Sequence, residues 1–184
     1  MSRRTASRLL KGWHNEGFSA DSAYLSAVMK YAFAARGNIL ECGSGATTLL
    51  LAATAERTGT RVHALEHMPE WRDRVRTALQ RFSLAAEVHL APLVQHGPFN
   101  WYEIPEQLPK DFALVICDGP PSTTLGGRYG LLPCLHRHLR GAVILMDDAE
   151  RPGEQEILAR WQQEFGLEFH IVEPGIYAVA KLPA

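Results

Sequence analysis

Four short stretches gather the side chains able to do chemistry: Glu41-Cys42-Gly43-Ser44-Gly45, Glu66-His67, Asp118-Gly119-Pro120-Pro121 and Asp147-Asp148. In the first, an apolar run (Asn38-Ile39-Leu40) ends in a carboxylate. It then turns through two glycines and enters Ala46-Thr47-Thr48-Leu49-Leu50-Leu51 with helix-like apolar spacing. Glycine tolerates such a turn and, lacking a side chain, lets a ligand approach the backbone. A helix starting there aims unpaired N–H groups at the same spot, which favours a negatively charged ligand group. Strand, glycine turn and helix together form the nucleotide-binding corner of an open α/β sheet.

Two kinds of nucleotide use such a corner. A dinucleotide wants G-x-G-x-x-G, because the pyrophosphate rests on the helix terminus and the third glycine lets helix and strand approach closely. Here Ala46, Thr47 and Thr48 follow Gly45, and the third glycine is missing. Glu41 would repel a pyrophosphate, but it could hold an ammonium group. S-adenosylmethionine carries an ammonium and a sulfonium. The next strand ends at Glu66, placed where an acid accepts hydrogen bonds from both ribose hydroxyls.

The elements that position these residues follow from apolar periodicity. A helix is predicted over 21–36, stopping at Gly37. Strands and helices then alternate: strand Ile39–Cys42, helix Thr47–Thr58, strand Arg61–Glu66, helix Pro69–Phe82 with proline in its first turn, and strand Glu87–Ala91. An irregular segment is expected over Pro92–Lys110. Strand Phe112–Cys117, loop Asp118–Gly127, a helix around Tyr129–Leu139, strand Ala142–Met146 and helix Glu154–Phe165 follow. Glu168–Val172 and Ile176–Lys181 are joined only by Glu173-Pro174-Gly175, too short for a parallel crossover, so this pair is predicted antiparallel. Five βα units and a terminal antiparallel pair give an α/β fold, a doubly wound, mostly parallel seven-stranded sheet.

Composition sets bounds. A chain of 184 residues, 46% hydrophobic and 21% charged, is an ordinary globular chain with ample core material. A net charge of -1 gives no electrostatic footprint for nucleic acid or an anionic membrane, and no apolar run approaches the roughly 18 residues that span a bilayer. The basic, acid-free start, Met1 to Lys11, lacks the apolar core of a secretory signal. It reads as a solvated leading helix, with an organellar transit segment as the other reading. Cys42, Cys117 and Cys134 show no metal-finger spacing, and the two in predicted strands read as buried thiols suited to a reducing cytoplasm.

With Glu41-x-Gly43-x-Gly45, Glu66, Asp118 closing the fourth predicted strand and the C-terminal antiparallel pair, the chain resembles the class I S-adenosylmethionine-dependent methyltransferases from about Asn38 to Lys181. The resemblance implies the Rossmann-like methyltransferase fold as one domain over 1–184. Residues 1–37 would form a helical segment over the cleft, and 38–184 the cofactor-binding core. It also implies S-adenosylmethionine as cofactor. Glu41, Gly43, Ser44, Gly45, Thr47 and Thr48 would face the methionyl part, and Glu66 and His67 the ribose and adenosine. Leu93, after Pro92, would border the adenine, and Asp118 the methyl-transfer cleft.

The loops after the fourth and fifth strands bear on the acceptor. Enzymes that methylate the exocyclic amines of bases carry an acid or Asn directly followed by Pro-Pro-aromatic. Here Gly119 intervenes and Ser122 replaces the aromatic, so nucleic acid is not expected as substrate. Asp118, Asp147 and Asp148 lie at the ends of two strands expected to be neighbours, where three hard oxygen ligands could hold Mg²⁺. With Arg128-Tyr129 and a helix between, the arrangement resembles the cation-dependent catechol-type O-methyltransferases. That family usually has Asp-Asn where this chain has Asp147-Asp148, and a lysine where this chain has Pro121. The lysines here are Lys11, Lys30, Lys110 and Lys181, none in a motif loop. The other use of Asp147 and Asp148 is to cap the helix near Pro152.

His14, in Trp13-His14-Asn15, is a candidate base folding over the cleft, whereas His136 and His138 read as packing or surface. Arg72, Arg74, Arg76 and Arg81 read as a solvated helix face. Trp101 and Tyr102 could line the site or the core. The expected function is methyl transfer to a small molecule, on oxygen before nitrogen. The alternatives are a non-catalytic binding partner that keeps the cofactor fold and a nicotinamide-dependent oxidoreductase. The sequence sets neither the acceptor nor the oligomeric state.

Overall fold

The computed structural model describes residues 22–173 and 177–183. Helix α1, Ser22–Ala34, leads into strand β1, Asn38–Cys42, and helix α2, Ala46–Thr58. Strand β2, Val62–Glu66, helix α3, Pro69–Arg81, and strand β3, Glu87–Leu90, continue the alternation. Helix α1 stops short of the predicted Arg36 because the Arg36 guanidinium turns back onto the carbonyl oxygens of Phe33 and Ala35.

From β3 onward the sequence expectation needs two corrections. The segment expected to be irregular holds a two-stranded hairpin, β4 (Leu93–His96) paired antiparallel with β5 (Phe99–Tyr102). Gly97, at φ 65°, supplies the left-handed residue of its turn. No helix therefore follows β3, and the five βα units expected are not all present. Strand β6, Phe112–Cys117, is as predicted, but the helix expected over Tyr129–Leu139 is broken. It becomes a 3₁₀ turn at Gly127–Gly130, helix α4 at Leu131–Leu135 and a second 3₁₀ turn at His136–His138. Gly130 lies so close to the Trp101 ring that a Cβ there would come within 2.7 Å of it, and Pro133 brings no N–H to a helical ladder. Strand β7, Val143–Met146, helix α5, Pro152–Phe165, and strands β8, His170–Val172, and β9, Tyr177–Lys181, complete the order.

One seven-stranded sheet runs β3-β2-β1-β6-β7-β9-β8. The first five strands are parallel, β9 runs antiparallel to β7, and β8 runs antiparallel to β9, matching the predicted C-terminal pair. Side chains alternate between two cores. Leu40, Val115, Ile144 and Met146 face Trp101, Leu131 and Trp161 on one side. Ile39, Leu114, Ile116 and Leu145 face Tyr24, Val28 and Ala32 of α1 and Leu51 and Ala55 of α2 on the other. Trp101 and Tyr102 are fully buried in the first core. Cys42 and Cys117 are buried, free and adjacent in register.

Among the described residues no helix is long and apolar enough to cross a membrane. The chain runs outward from β1 through β2 to β3, then returns to β6 and runs the other way to β7. The direction reverses between β1 and β6, where an open parallel sheet leaves a crevice at its carboxyl edge.

Candidate active site

All four chemistry-bearing stretches lie at that carboxyl edge, at the last residues of β1 and β2 or just beyond β6 and β7. At the reversal itself, Gly43 and Gly119 meet back to back. A Cβ on Gly119 would come within 3.0 Å of the Gly43 Cα and 2.5 Å of the Tyr102 hydroxyl. Gly43 also needs its left-handed φ of 87°. Gly45 differs, because a Cβ there would meet nothing within 4 Å, which leaves open space over the start of α2.

Glu41 is fully buried beneath the turn. Its carboxylate accepts hydrogen bonds from the Thr47 and Thr48 hydroxyls, the latter at 2.6 Å, and Thr48 Oγ1 in turn accepts one from Gly45 N–H at 2.9 Å. Burial pushes the Glu41 carboxyl up to about 8, against the pull of the two threonines, and Asp118 and Glu66 add to the rise. The raised value means that the fold favours the protonated acid. Stability from this group is complete below the ordinary carboxyl pKa and is lost as pH climbs towards 8. Glu41→Gln is therefore expected to flatten thermal stability between about pH 5 and about pH 9, gaining at most about 4–5 kcal/mol over the parent at the alkaline end. Melting curves at several pH values check this, and parallel curves for the two proteins would refute it.

Glu66 braces the same turn from β2. Its Oε2 accepts hydrogen bonds from Ser44 N–H at 3.1 Å and from the Ser44 hydroxyl at 2.8 Å, while Oε1 accepts one from Met68 N–H at 3.0 Å. His67 Nδ1 stands 3.2 Å from Glu66 Oε1, and the ring meets Tyr102 edge-on. The buried Tyr102 hydroxyl has no hydrogen-bond partner among the described residues. Leu93, half-buried, opens β4.

Beyond β6 and β7, Asp118, Asp147 and Asp148 bring one carboxylate oxygen each within 4.8 Å of one another. The Arg128 guanidinium, 3% exposed, binds them together. It donates to Asp118 Oδ1 at 3.3 Å, to Asp148 Oδ2 at 2.8 Å and to the backbone oxygens of Asp118 and Asp147. Burial opposes the Arg128 charge, but the Asp118 and Asp148 carboxylates outweigh it and hold the proton. Asp147 is pushed up to about 8 by burial and by the neighbouring charges of Asp118 and Asp148. Burial also raises Asp118, with Arg128 pulling the other way, and solvent reaches about a third of that side chain. Asp148 sits at φ 56°, a left-handed conformation that costs a non-glycine residue. Neither Asp147 nor Asp148 caps α5: the N-cap position is Arg151, with no side-chain cap.

Sequence reasoning missed two further groups. The sequence assigned Arg128 no role of its own, although a lone arginine amid Gly126, Gly127 and Gly130, ahead of an apolar run, is a signal for a buried ion pair. Tyr24 gave no signal. Its fully buried hydroxyl lacks a hydrogen-bond partner among the described residues, and burial, then Asp147 and Asp118, raises its pKa far above the usual value. His14 lies outside the described residues, as does the proposed leading helix.

The family model described as "Methyltransferase domain" matches residues 40–149, more than half of the chain. The chain belongs to this methyltransferase family. Its sheet order, with the reversal after β1 and the antiparallel C-terminal pair, is that of class I S-adenosylmethionine-dependent methyltransferases. Solved structures share the fold at low identity. A Podospora anserina methyltransferase bound to SAH is 12% identical, with a TM-score of 0.71 over 98% of this chain and 86% of that one. A protein described as a putative caffeoyl-CoA O-methyltransferase from Staphylococcus aureus is 10% identical, with a TM-score of 0.69 over 100% of this chain and 93% of that one. A Bacillus cereus O-methyltransferase in complex with SAH is 17% identical, with a TM-score of 0.64 over 99% and 92%. A search of curated proteins by sequence finds no match.

Proposed function

We propose that this methyltransferase transfers a methyl group to a hydroxyl of a small molecule, with Asp118, Asp147 and Asp148 acting at the acceptor. The convergence of those three carboxylates beside the sheet reversal carries the reading. The cofactor fits the same edge on two counts: Gly45 leaves open space, and Glu66 offers acceptor oxygens at the end of β2, while Glu41 holds Thr47 and Thr48 of the turn from beneath. When bound, S-adenosylmethionine supplies a carbon already activated by its sulfonium, so the protein mainly positions the acceptor and takes its proton. In this reading Glu66 and His67 take the ribose side, Leu93 borders the adenine, and the Ser44–Gly45 backbone faces the methionyl group.

Three hard oxygen donors suit Mg²⁺, which would acidify a hydroxyl brought to it. With the metal bound, Asp118, Asp147 and Asp148 would hold it and Arg128 would steady their outer oxygens. Asp147→Ala is expected to abolish stimulation by Mg²⁺, measured as S-adenosylhomocysteine released from candidate phenols. Activity undiminished by EDTA would remove the metal from the reading.

A second reading rests on Arg128, which already offsets the acid cluster. Without a metal, Asp147, raised to about 8, is poised near neutral pH to accept the hydroxyl proton itself. EDTA-resistant activity that rises with pH towards about 8 and disappears in Asp147→Ala would select it. No S-adenosylhomocysteine under either condition would favour a binding protein without turnover.

A further inference from the structure

A second cluster lies away from the carboxyl edge, towards the other end of β2 and β3. His63 and Glu87 are directly paired across these parallel strands, and His89 is two residues further along the same face. His63 Nδ1 is 3.4 Å from His89 Nε2 and 3.6 Å from Glu87 Oε2, and His89 Nε2 is 3.9 Å from the same Glu87 oxygen. Strong hydrogen bonds between such groups fall at roughly 2.7–3.2 Å, so none of the three contacts is a good one. Donor atoms about 2.0–2.2 Å from a shared tetrahedral ion would instead stand roughly 3.3–3.5 Å apart, close to the 3.4 and 3.6 Å found from His63, with the His89–Glu87 spacing of 3.9 Å somewhat longer. All three atoms lie within 4.8 Å of one another.

We propose that His63 Nδ1, His89 Nε2 and Glu87 Oε2 form a binding site for a zinc-class divalent cation that straps edge strand β3 to β2. Two imidazoles, borderline donors, beside one hard carboxylate favour Zn²⁺, Co²⁺ or Ni²⁺ over Mg²⁺ and Ca²⁺. The site is built rather than incidental. His63 is 3% exposed, its ring is held edge-on by Phe112, and His89 is largely covered, while Glu87 is open to solvent and leaves room for a water as fourth ligand. Among the described residues strand β3 has a partner on one side only, so a cross-strand ion would fix an edge that backbone pairing alone leaves half-made. The donors differ in kind and place from the acid cluster beyond β6 and β7, so this site stands or falls independently of the methyl-transfer reading.

The test is a calorimetric titration of the full chain, free of any histidine tag, with Zn²⁺, alongside the absorption spectrum of the Co²⁺ form. Expected are one tight equivalent, a tetrahedral cobalt spectrum without the near-ultraviolet band of a thiolate ligand, and slower amide exchange in β3. Glu87→Gln and His89→Gln, both outside the fully buried core, should each weaken binding at least about tenfold while remaining folded by circular dichroism. Asp147→Ala should bind zinc as the parent does. Loss of the site in Asp147→Ala with retention in Glu87→Gln, a thiolate band, or no saturable binding would each overturn the proposal.

Discussion

Glu66→Ala is expected to raise the dissociation constant for S-adenosylmethionine about 10- to 100-fold, or roughly 1–3 kcal/mol. Two losses combine. The proposed ribose hydroxyls lose their acceptor, and Ser44, held by both its N–H and its hydroxyl to Glu66 Oε2, is released from its place in the glycine turn. Glu66→Gln separates them, since one carbonyl oxygen survives to receive either set of donors but not both. Calorimetry with S-adenosylhomocysteine reads the first loss, and the melting temperature reads the second. A variant that melts early but binds the ligand as tightly as the parent would leave Glu66 a brace and nothing more.

Arg128→Met should be the most damaging substitution for stability. The guanidinium is buried among Asp118, Asp147 and Asp148, with Glu154 3.9 Å away. Removing one partner from a buried ionic network costs on the order of 3–5 kcal/mol, because the remaining charges are left without compensation. For a chain of this size that corresponds to a fall in melting temperature of roughly 6–20 °C. Mg²⁺ should then recover part of the loss, and more in Arg128→Met than in the parent, because a cation among the carboxylates replaces the missing positive charge. Equal responses of the two proteins to Mg²⁺ would argue against a metal there. An unchanged melting temperature would show that the acids discharge by taking up protons.

The parts of the fold that sequence conveyed were those governed by long apolar runs. Phe112–Cys117 and Val143–Met146 are buried on both faces, and the continuous pattern that burial imposes is hard to mistake. The hairpin of Leu93–His96 and Phe99–Tyr102 escaped because each strand is only four residues long, with just glycine and proline between them. The break in the predicted helix at Tyr129–Leu139 depends on how near Trp101 comes to Gly130, a contact between residues far apart in the chain. At the candidate site, spacing brought Glu41, Glu66, Asp118 and Asp147 to one edge of the sheet. What it could not convey was the direction of each hydrogen bond. Thr47 and Thr48 turn inward onto Glu41, and a single arginine organises three aspartates. Tyr24 was hidden in an apolar stripe, where only the third dimension reveals its hydroxyl.

The contact of Gly43 with Gly119 limits how such a protein can diversify. The bend that would receive the cofactor and the loop that leads towards the acceptor touch through bare backbone, with the Tyr102 hydroxyl against Gly119, so Gly119 has no room for even one methyl group and Gly43, at its left-handed φ, has a tight fit at best. A chimaera that borrows a relative's acceptor loop would therefore need its seam after residue 119. Grafts beginning earlier would have to bring their own glycine or force the two bends apart. New substrates would then be reached by rewriting 120–127 while the junction behind them stays fixed.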